Sequence, residues 1–296
     1  MNRKSVIAIG TFDGVHEGHR FIINKTLSVA KNNNLKSVIV TIERPVKKVI
    51  GLLTTCEEKV EEIKFFGVDE IFIVRVTSEI LSYGPDKFFD DFLVKTLKIS
   101  EIVCGSDFAF GENRKGDIEW LKKKTEENNV RINILESLKY NSRPISSSYI
   151  RLLVEKGDIK NMKKLLGRNY SFNGIPFRDK GIGKKLGFPT VNLCVNNDKL
   201  LPKGVYISLI SQDKVQYRAI TNIGMRPTFN LEGEIIPEAH IFCFKGTWKK
   251  LKTKITLLEK IRCEKKFLSV EALKTQISKD VSVALQFFKN KVEQGY

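Results

Sequence analysis

Two of the chain's three histidines lie close together near its start, in residues 10–19, which read Gly-Thr-Phe-Asp-Gly-Val-His-Glu-Gly-His. An apolar run at 6–9 precedes them and an amphipathic pattern follows, which predicts a buried strand, a turn and a helix. His16 and His19 therefore fall at a helix start, where backbone N–H groups and the helix dipole attract anions. A spacing of three places both imidazoles on nearly one face, and Gly18 lets a ligand approach closely. The segment predicts a phosphate-binding site.

Two other interpretations of the histidine pair stay open from the residues alone. The imidazoles could belong to an ordinary helix start. They could also hold a metal ion, although no Cys or Glu-His partner cluster follows at ligand spacing. We expect the phosphate site to consist of His16 and His19 with four further residues of the segment: Gly10, Phe12, Asp13 and Gly18.

A tract of three serines before an arginine, within residues 144–151, is a second candidate for phosphate binding. Hydroxyl groups at a helix start cap the helix and can donate to phosphate oxygens, and a guanidinium suits phosphate geometry. The serines could also be a plain helix cap. We expect three residues of this tract to contact the nucleotide phosphates: Ser146, Ser147 and Arg151.

A loop with three glycines follows a predicted strand at residues 104–117. An ordinary turn-rich loop, with its phenylalanines in the core, is the simpler interpretation for Phe108 and Phe110. Asp107 is the better candidate ligand of this loop.

The first half of the chain alternates strand and helix patterns. Strands are predicted at 6–9, 37–41, 71–74, 101–104 and 130–135, with helices up to about residue 30, at 57–66, from Pro85 and at 117–126. Such alternation predicts a Rossmann-like α/β domain with a parallel sheet covered on both sides. Ligands bind such sheets at the carboxyl ends of the strands, where the histidine pair would lie.

The pattern changes after two short helices at 152–166. Strand-like runs at 205–210, 216–220, 239–244 and 255–258 follow one another, which predicts a small antiparallel β-barrel. A terminal helix at 270–292 carries an apolar stripe that we expect to pack in the core: Leu273, Ile277, Val281, Leu285 and Phe288. We therefore expect domains at residues 1–166 and 167–296.

Composition narrows the class of protein. The 296 residues contain 42% hydrophobic residues and carry a formal net charge of +17. The lysines are scattered and no aromatic-studded strand pair accompanies them, so we expect polyphosphate substrates and no nucleic-acid partner. No apolar run is long enough for a membrane helix, and five cysteines without a C-x-x-C pair suggest a cytoplasmic protein. We expect a monomer or a weak oligomer.

Residues 187–192, Gly-Phe-Pro-Thr-Val-Asn, form the strongest motif of the second half, and Gly-Ile-Gly-Lys-Lys at 181–185 precedes them. A Walker A loop is excluded, because no glycine stands four residues before Gly183 and no serine or threonine follows Lys184.

Together these motifs resemble the bacterial bifunctional riboflavin kinase/FMN adenylyltransferase (FAD synthetase) family. The resemblance covers nearly the whole chain, and it implies that the barrel phosphorylates riboflavin and that the α/β domain joins FMN to AMP. It also implies that the kinase half binds ATP and Mg²⁺ through six residues: Gly183, Lys184, Gly187, Pro189, Thr190 and Asn192. Thr190 and Asn192 would be the Mg²⁺ ligands, since oxygen donors suit that ion. Glu238 would be the general base for the ribityl 5′-hydroxyl. In the adenylyltransferase half, the resemblance implies that His16 and His19 are catalytic and that the residues around them bind the nucleotide. It also implies that Asp107 and Phe108 bind the flavin or the nucleotide.

The chain departs from the family pattern at several positions. Residues 42–46 stand where the family has Phe-Asp-Pro-His-Pro, and Tyr149 stands for a basic residue. Asp179, Lys184, Cys243 and Trp248 replace kinase residues. An adenylyltransferase with a lost kinase, a nicotinamide- or pantetheine-type adenylyltransferase, and a non-enzymatic flavin or nucleic-acid binder are the competing hypotheses.

Overall fold

The structure is a computed structural model that describes residues 3–45, 49–178, 182–213, 215–225 and 235–293 of the chain. Internal contacts divide the chain into two compact units, Met1–Tyr149 and Ile150–Tyr296. The division falls within the helix Ser147–Lys156, and the domain boundary expected after Leu166 stays a prediction.

The first unit is an α/β sandwich around a five-stranded parallel sheet with the order β3-β2-β1-β4-β5. Its strands are β1 (Ser5–Gly10), β2 (Lys36–Ile42), β3 (Glu70–Val74), β4 (Ile99–Gly105) and β5 (Arg131–Leu135). Its helices are α1 (Glu17–Asn32), α2 (Cys56–Lys64), α3 (Ser78–Leu81), α4 (Pro85–Lys87) and α5 (Ile118–Glu127). A two-stranded ribbon, β6 (Lys139–Tyr140) and β7 (Arg143–Pro144), leads into α6 (Ser147–Lys156). The predicted α/β class is confirmed.

Both faces of the parallel sheet are buried, because successive apolar residues of a strand point to opposite sides. Ile7 packs on one face with Val38, and the next residue, Ala8, packs on the other with Ile39. The chain reverses its direction of strand addition at β1, which pairs with both β2 and β4. The carboxyl end of β1 is therefore the switch point at which such sheets bind ligands.

The helix predicted to begin at Pro85 changes its winding after one turn. Residues Phe88–Thr96 form a π-helix, which the apolar spacing could not predict. Phe89 and Leu93 are buried as expected, and the Phe88 ring lies 5.3 Å from the Phe110 ring. The wider helix thus packs against the loop that follows β4.

The second unit is a closed antiparallel barrel with the strand order β10-β11-β12-β9-β8-β13. Its elements are α7 (Ile159–Leu166), β8 (Ser171–Phe177), α8 (Ile182–Lys185), β9 (Thr190–Val195), β10 (Gly204–Gln212), β11 (Val215–Met225), β12 (Ile235–Ile241), β13 (Thr253–Arg262) and α9 (Val270–Glu293). The barrel prediction is confirmed, although β8 and β9 were not foreseen. The strand expected over 239–244 ends at Ile241, because Cys243 adopts a left-handed φ of 57° that ends extended pairing.

The terminal helix α9 packs on the barrel through part of the expected stripe. Ala284 and Phe288 are buried against Ile207 and Ile220, with Val281 beside them. The placement of Leu285 in the core was wrong, since 49% of that side chain is exposed. Ala284 holds the helical position that faces the barrel, and the larger leucine next to it turns outward.

No helix among the described residues is long and apolar enough to span a membrane. The five cysteines all lie within the described ranges and are free thiols. Burial raises the pKa of the Cys104 thiol to about 12, so that this group stays protonated.

Candidate functional site

The histidine pair lies at the start of α1, directly after the turn that leaves β1. His16 is the N-cap residue, and its Nδ1 accepts a hydrogen bond of 3.3 Å from the backbone N–H of His19. The two rings stack with their centroids 3.6 Å apart and their planes 14° from parallel. Because Nδ1 of His16 accepts, a neutral His16 carries its proton on Nε2, which can donate to an anion. The expected shared face of the two imidazoles is confirmed.

The turn before α1 has an unusual backbone. Phe12 and Val15 have positive φ angles of 49° and 40°, and Gly14 has a φ of 85°. Left-handed conformations of non-glycine residues cost about 1 kcal/mol each, so surrounding contacts must hold them. The Phe12 side chain supplies one contact, since it is 1% exposed and its ring lies 5.1 Å from the His19 ring.

The side chain of Asp13 holds the same turn by hydrogen bonds to the segment that precedes α2. Its carboxylate accepts hydrogen bonds of 3.0 Å from the backbone N–H groups of Leu53 and Thr54, just before α2. The Thr54 hydroxyl donates to it at 3.3 Å and accepts from the Gly14 N–H at 2.9 Å. The buried carboxylate thus shapes the turn, and a direct contact of Asp13 with a nucleotide stays a prediction.

The serine tract reaches the histidine turn. The Ser147 hydroxyl donates to the Asp13 carbonyl at 2.8 Å, and the Ser146 hydroxyl accepts from the Tyr149 N–H at 3.3 Å. A Cβ added to Gly18 would lie 3.2 Å from the His16 ring and 3.6 Å from the Ile145 carbonyl oxygen. Glycine is needed there because the tract and the histidine pair approach each other so closely.

Gly10 and Arg151 are the remaining predicted residues of this site. Gly10 ends β1, and a Cβ on it would lie 3.2 Å from the Phe12 ring, so it makes room for that ring. Arg151 is buried on α6, on the other side of the division between the units. Its expected contact with phosphate stays a prediction.

The loop after β4 lies at the same edge of the sheet, since β4 is the parallel neighbour of β1. Asp107 is exposed there, and its carbonyl accepts a hydrogen bond of 3.2 Å from Arg114. Phe108 and Phe110 stack with centroids 5.6 Å apart and pack on the core. The phenylalanines therefore support the loop, and the exposed Asp107 side chain is open to a ligand.

Lys59 is a charged residue at this edge that motif analysis missed. It lies in α2, is 2% exposed, and its Nζ donates to the carbonyl oxygens of Thr11, at 3.0 Å, and Ile42. Desolvation lowers its pKa, although Cys56, Asp13 and Glu43 favour the charged form. A lysine at a helix start resembles any surface lysine in the sequence, so no local signal distinguished it.

The barrel holds a cavity of about 1180 Å³ on the side that α9 covers. Six residues that line it form one row of cross-strand neighbours that passes through every strand of the barrel: Arg262, Val205, Asn222, Glu238, Asn192 and Phe177. Glu238 is half-buried in this row, between Asn192 and Asn222. The carboxylate thus has an amide side chain on each neighbouring strand, of which Asn222 was not predicted.

Thr190 and Asn192 lie two residues apart on β9, so both side chains point to one face and both line the cavity. Asn192 is 6% exposed, and within the described ranges its Oδ1 has no hydrogen-bond partner. A buried carbonyl oxygen of this kind fits a hard cation such as Mg²⁺. A Cβ on Gly183 would lie 3.0 Å from the Thr190 hydroxyl, so glycine keeps this oxygen accessible.

The remaining predicted kinase residues precede Thr190 in the chain. Lys184 and Pro189 line the cavity, and the Pro189 carbonyl accepts a hydrogen bond of 2.9 Å from His240 Nδ1. Gly187 has a φ of 89° that suits glycine. Asp179, Gly181 and the segment 226–229 lie outside the described residues.

An ion pair at the far end of the cavity was also missed. Arg262 donates to Asp280 of α9 through Nε, at 2.9 Å, and Nη2, at 2.8 Å, and Gln276 donates to the same carboxylate at 2.9 Å. Asp280 is 2% exposed, so the pair ties the barrel to α9 within a buried environment. The two side chains are 18 residues apart, and no sequence motif links them.

Two of the family departures have a visible structural role. Trp248 donates from Nε1 to the Thr253 hydroxyl at 3.0 Å, and its ring packs against Tyr217 and Phe244. Cys243 is exposed at the turn that ends β12. The aromatic cluster of Tyr217, Phe244 and Trp248 thus borders the cavity at the Trp248 end.

Comparison with known proteins matches each half of the chain to a separate family. Residues 1–149 match the FAD synthetase family and residues 166–288 match the riboflavin kinase family. A bifunctional riboflavin kinase/FMN adenylyltransferase of Buchnera aphidicola from Schizaphis graminum is 33% identical, covering 97% of this chain and 95% of the relative. The protein of that name from Bacillus subtilis is 31% identical, covering 97% and 93%.

A solved structure also shares the arrangement of elements. The crystal structure described as a macrolide-efflux protein from Streptococcus pneumoniae superposes with a TM-score of 0.84 at 26% identity, covering 96% of this chain and 94% of that one. Similarity thus extends over both halves in sequence and in fold.

Proposed function

The chain belongs to the bifunctional riboflavin kinase/FMN adenylyltransferase family, and we propose how its residues divide the two steps of FAD synthesis. It is a transferase that phosphorylates riboflavin to FMN with ATP and then transfers AMP from a second ATP to FMN. The observation that carries the assignment of sites is the presence of two separate groups of functional side chains, the stacked histidines at the start of α1 and the row with Glu238 and Asn192 in the barrel cavity.

In the first unit, a phosphate oxygen of FMN attacks the α-phosphorus of ATP in line. A new P–O bond forms, the bond to the β-phosphate oxygen breaks, and pyrophosphate leaves with its electron pair. The stacked imidazoles of His16 and His19 stabilise the charge that develops on the α-phosphate and on the leaving oxygen. Ser146, Ser147 and Arg151 hold the β- and γ-phosphates, while Asp107 contacts the flavin or the nucleotide. Positioning and charge stabilisation supply most of the catalysis, as in other phosphoryl transfers.

In the second unit, the 5′-hydroxyl of riboflavin attacks the γ-phosphorus of ATP. Glu238 takes the hydroxyl proton as general base, the new P–O bond forms, and ADP leaves. The position of Glu238 within the cavity row, with Asn192 and Asn222 as neighbours, supports this role. Gly183, Lys184, Gly187 and Pro189 hold the phosphates.

Thr190 and Asn192 would hold Mg²⁺ in the kinase site, because their oxygens lie on one face of β9 and Asn192 Oδ1 is a buried acceptor. The ion, when bound, neutralises phosphate charge and orients the terminal phosphate. The protein's own contribution is to present these two oxygens with the base on the adjacent strand.

The free thiols of the five cysteines support a cytoplasmic location. Riboflavin, FMN and ATP are the partners we propose, with no nucleic acid and no membrane, and a monomeric or weakly oligomeric state. Sedimentation of the purified protein tests the last point.

Incubation of the protein with riboflavin, ATP and Mg²⁺, followed by chromatography, tests the two steps against an FMN-fed control. We expect FAD from both starting flavins. FAD from FMN alone would mean that the barrel has lost its kinase activity, and no product from either flavin would overturn the proposal. Omission of Mg²⁺ is expected to stop FMN formation.

A further inference from the structure

Lys59 is a buried cation beside the histidine turn that neither proposed step uses. An ammonium group with 2% exposure is unfavourable unless its protons are hydrogen-bonded, and desolvation lowers its pKa. A leucine or methionine would fill the same space at lower cost. We therefore infer the role of the Lys59 ammonium from its hydrogen-bond partners.

The hydrogen bonds of Lys59 join two adjacent parallel strands at their carboxyl ends. Its Nζ donates to Thr11 O, at 3.0 Å, one residue after β1 ends, and to Ile42 O, the last residue of β2. Both carbonyls lie just beyond the point where β1 and β2 stop pairing with each other, because Gly10 and Thr41 form the last pair between these two strands. The ammonium group of Lys59 thus links β1 and β2 beyond the last backbone pair between them, where the chain leaves β1 toward the histidines.

Residues shortly before Lys59 in the chain form hydrogen bonds with Asp13 and Gly14, which follow Thr11 in the turn. Leu53 and Thr54 bind the Asp13 carboxylate, and the Thr54 hydroxyl accepts from the Gly14 N–H. Residues 53–59 therefore hold the turn at Thr11, Asp13 and Gly14. The held stretch includes Phe12, whose φ of 49° needs support from its surroundings.

We propose that Lys59 is a positioning residue for adenylyl transfer. Its ammonium fixes the exit of β1, which sets where His16 and His19 stand relative to the α-phosphate. The inference rests on the role proposed for the histidine pair. Lys59 acts through the backbone, so its loss changes the rate of the chemical step while the unit stays folded.

The test is a single-turnover measurement of FAD formation from FMN with enzyme in excess. Lys59→Met is expected to lower the rate constant about tenfold to a hundredfold, because small misplacement of catalytic groups has effects of that size. The amplitude should stay complete. Lys64→Met, an exposed lysine at the other end of α2, is the matched control and should match the wild type. Riboflavin phosphorylation should be unchanged in both variants.

An unchanged rate constant in Lys59→Met, with full or reduced amplitude, would overturn the inference, since a purely structural role reduces only the folded fraction. If Lys59→Met does not fold, Lys59→Gln, which keeps a donor, is judged by the same rate constant. Failure of the wild type to form FAD from FMN is a separate result and overturns the proposed function itself.

Discussion

The two candidate sites of this molecule are built in opposite ways. In the α/β unit, the chemistry lies on a single turn and helix start, and α2 and the serine tract hold that turn in place. In the barrel, Glu238 and Asn192 come from different strands and meet through cross-strand register. The histidine turn is local in sequence, whereas the barrel site is local only in space. A short motif therefore describes the histidine turn itself, although its supports come from distant residues such as Ser147, and it describes the barrel site only in part.

The strongest test of this comparison is the separation of the two reactions. Glu238→Gln removes the proposed base while keeping size and hydrogen bonding, so we expect riboflavin phosphorylation to fall about 10²- to 10⁴-fold. FAD formation from FMN should be unchanged. Parallel assays of the two half-reactions on one preparation measure both, and equal loss in both would show that the sites are not separable in this way.

The mirror experiment is His19→Ala, which removes one ring of the stacked pair. FAD formation from FMN should fall about 10²- to 10³-fold, as it does when a group that stabilises transition-state charge is lost. FMN should then accumulate from riboflavin, because the kinase step continues. Wild-type rates of FAD formation in this variant would exclude His19 from the chemistry.

A pair of glycine substitutions examines how tightly the barrel site is packed. A Cβ at Gly183 would lie 2.5 Å from the Phe188 carbonyl oxygen, whereas a Cβ at Gly187 has no neighbour within 4 Å. We expect Gly183→Ala to displace Thr190 and to raise the KM for Mg–ATP about tenfold, equivalent to about 1.4 kcal/mol. Gly187→Ala should cost only the strain of its positive φ, about 1 kcal/mol.

Initial rates of riboflavin phosphorylation across ATP concentrations give both KM values. The FMN-fed reaction serves as the control for folding of the other unit. A larger effect at Gly187 than at Gly183 would contradict the packing argument.

The smallest expected effect concerns stability in acid and belongs to the α/β unit. The Ser37 hydroxyl and N–H donate to Asp69 and hold the pKa of that carboxyl below its usual value. Because the folded-state pKa is depressed, this stabilisation is present above the unfolded pKa and is lost as pH falls through the folded pKa. Asp69 is exposed, so we expect Asp69→Asn to cost less than about 1 kcal/mol at pH 7.

Thermal unfolding of Asp69→Asn and the wild type at pH 7 and at about pH 2, below the reference pKa of aspartate, measures this difference. The gap between the two midpoints should close at the lower pH. If the difference between the two unfolding midpoints is the same at both pH values, the loss of stability comes from packing and not from the carboxylate charge.

The sequence was sufficient to predict the α/β unit in outline and the common face of the two histidines. Apolar runs predicted the five strands, and the spacing of His16 and His19 at a helix start predicted that their rings lie together, because neighbouring residues determine both features. The phosphate site at this turn stays a prediction. Lys59 and Thr54 could not be found this way. Their role depends on the packing of α2 against the turn some 40 residues earlier.

The barrel was less accessible to prediction. Glu238, Thr190 and Asn192 were identified through family motifs, but Asn222 and the Arg262–Asp280 pair join the site only through strand register and the docking of α9. Alternation along one strand reveals which residues share a face and does not reveal which strand lies beside it. The left-handed residue Cys243 likewise ended a strand that hydrophobicity alone extended to Phe244.

The cross-strand row of the barrel restricts which insertions and deletions a lineage can keep. A single residue added within β12 before Glu238 would turn its carboxylate to the opposite face of the sheet, away from Asn192 and Asn222. Two added residues would restore the face but move the carboxylate to a different partner. Insertions and deletions in this unit should therefore accumulate in the turns between strands. The two histidines, by contrast, lie on one continuous segment, so a length change elsewhere in the chain leaves their spacing unchanged.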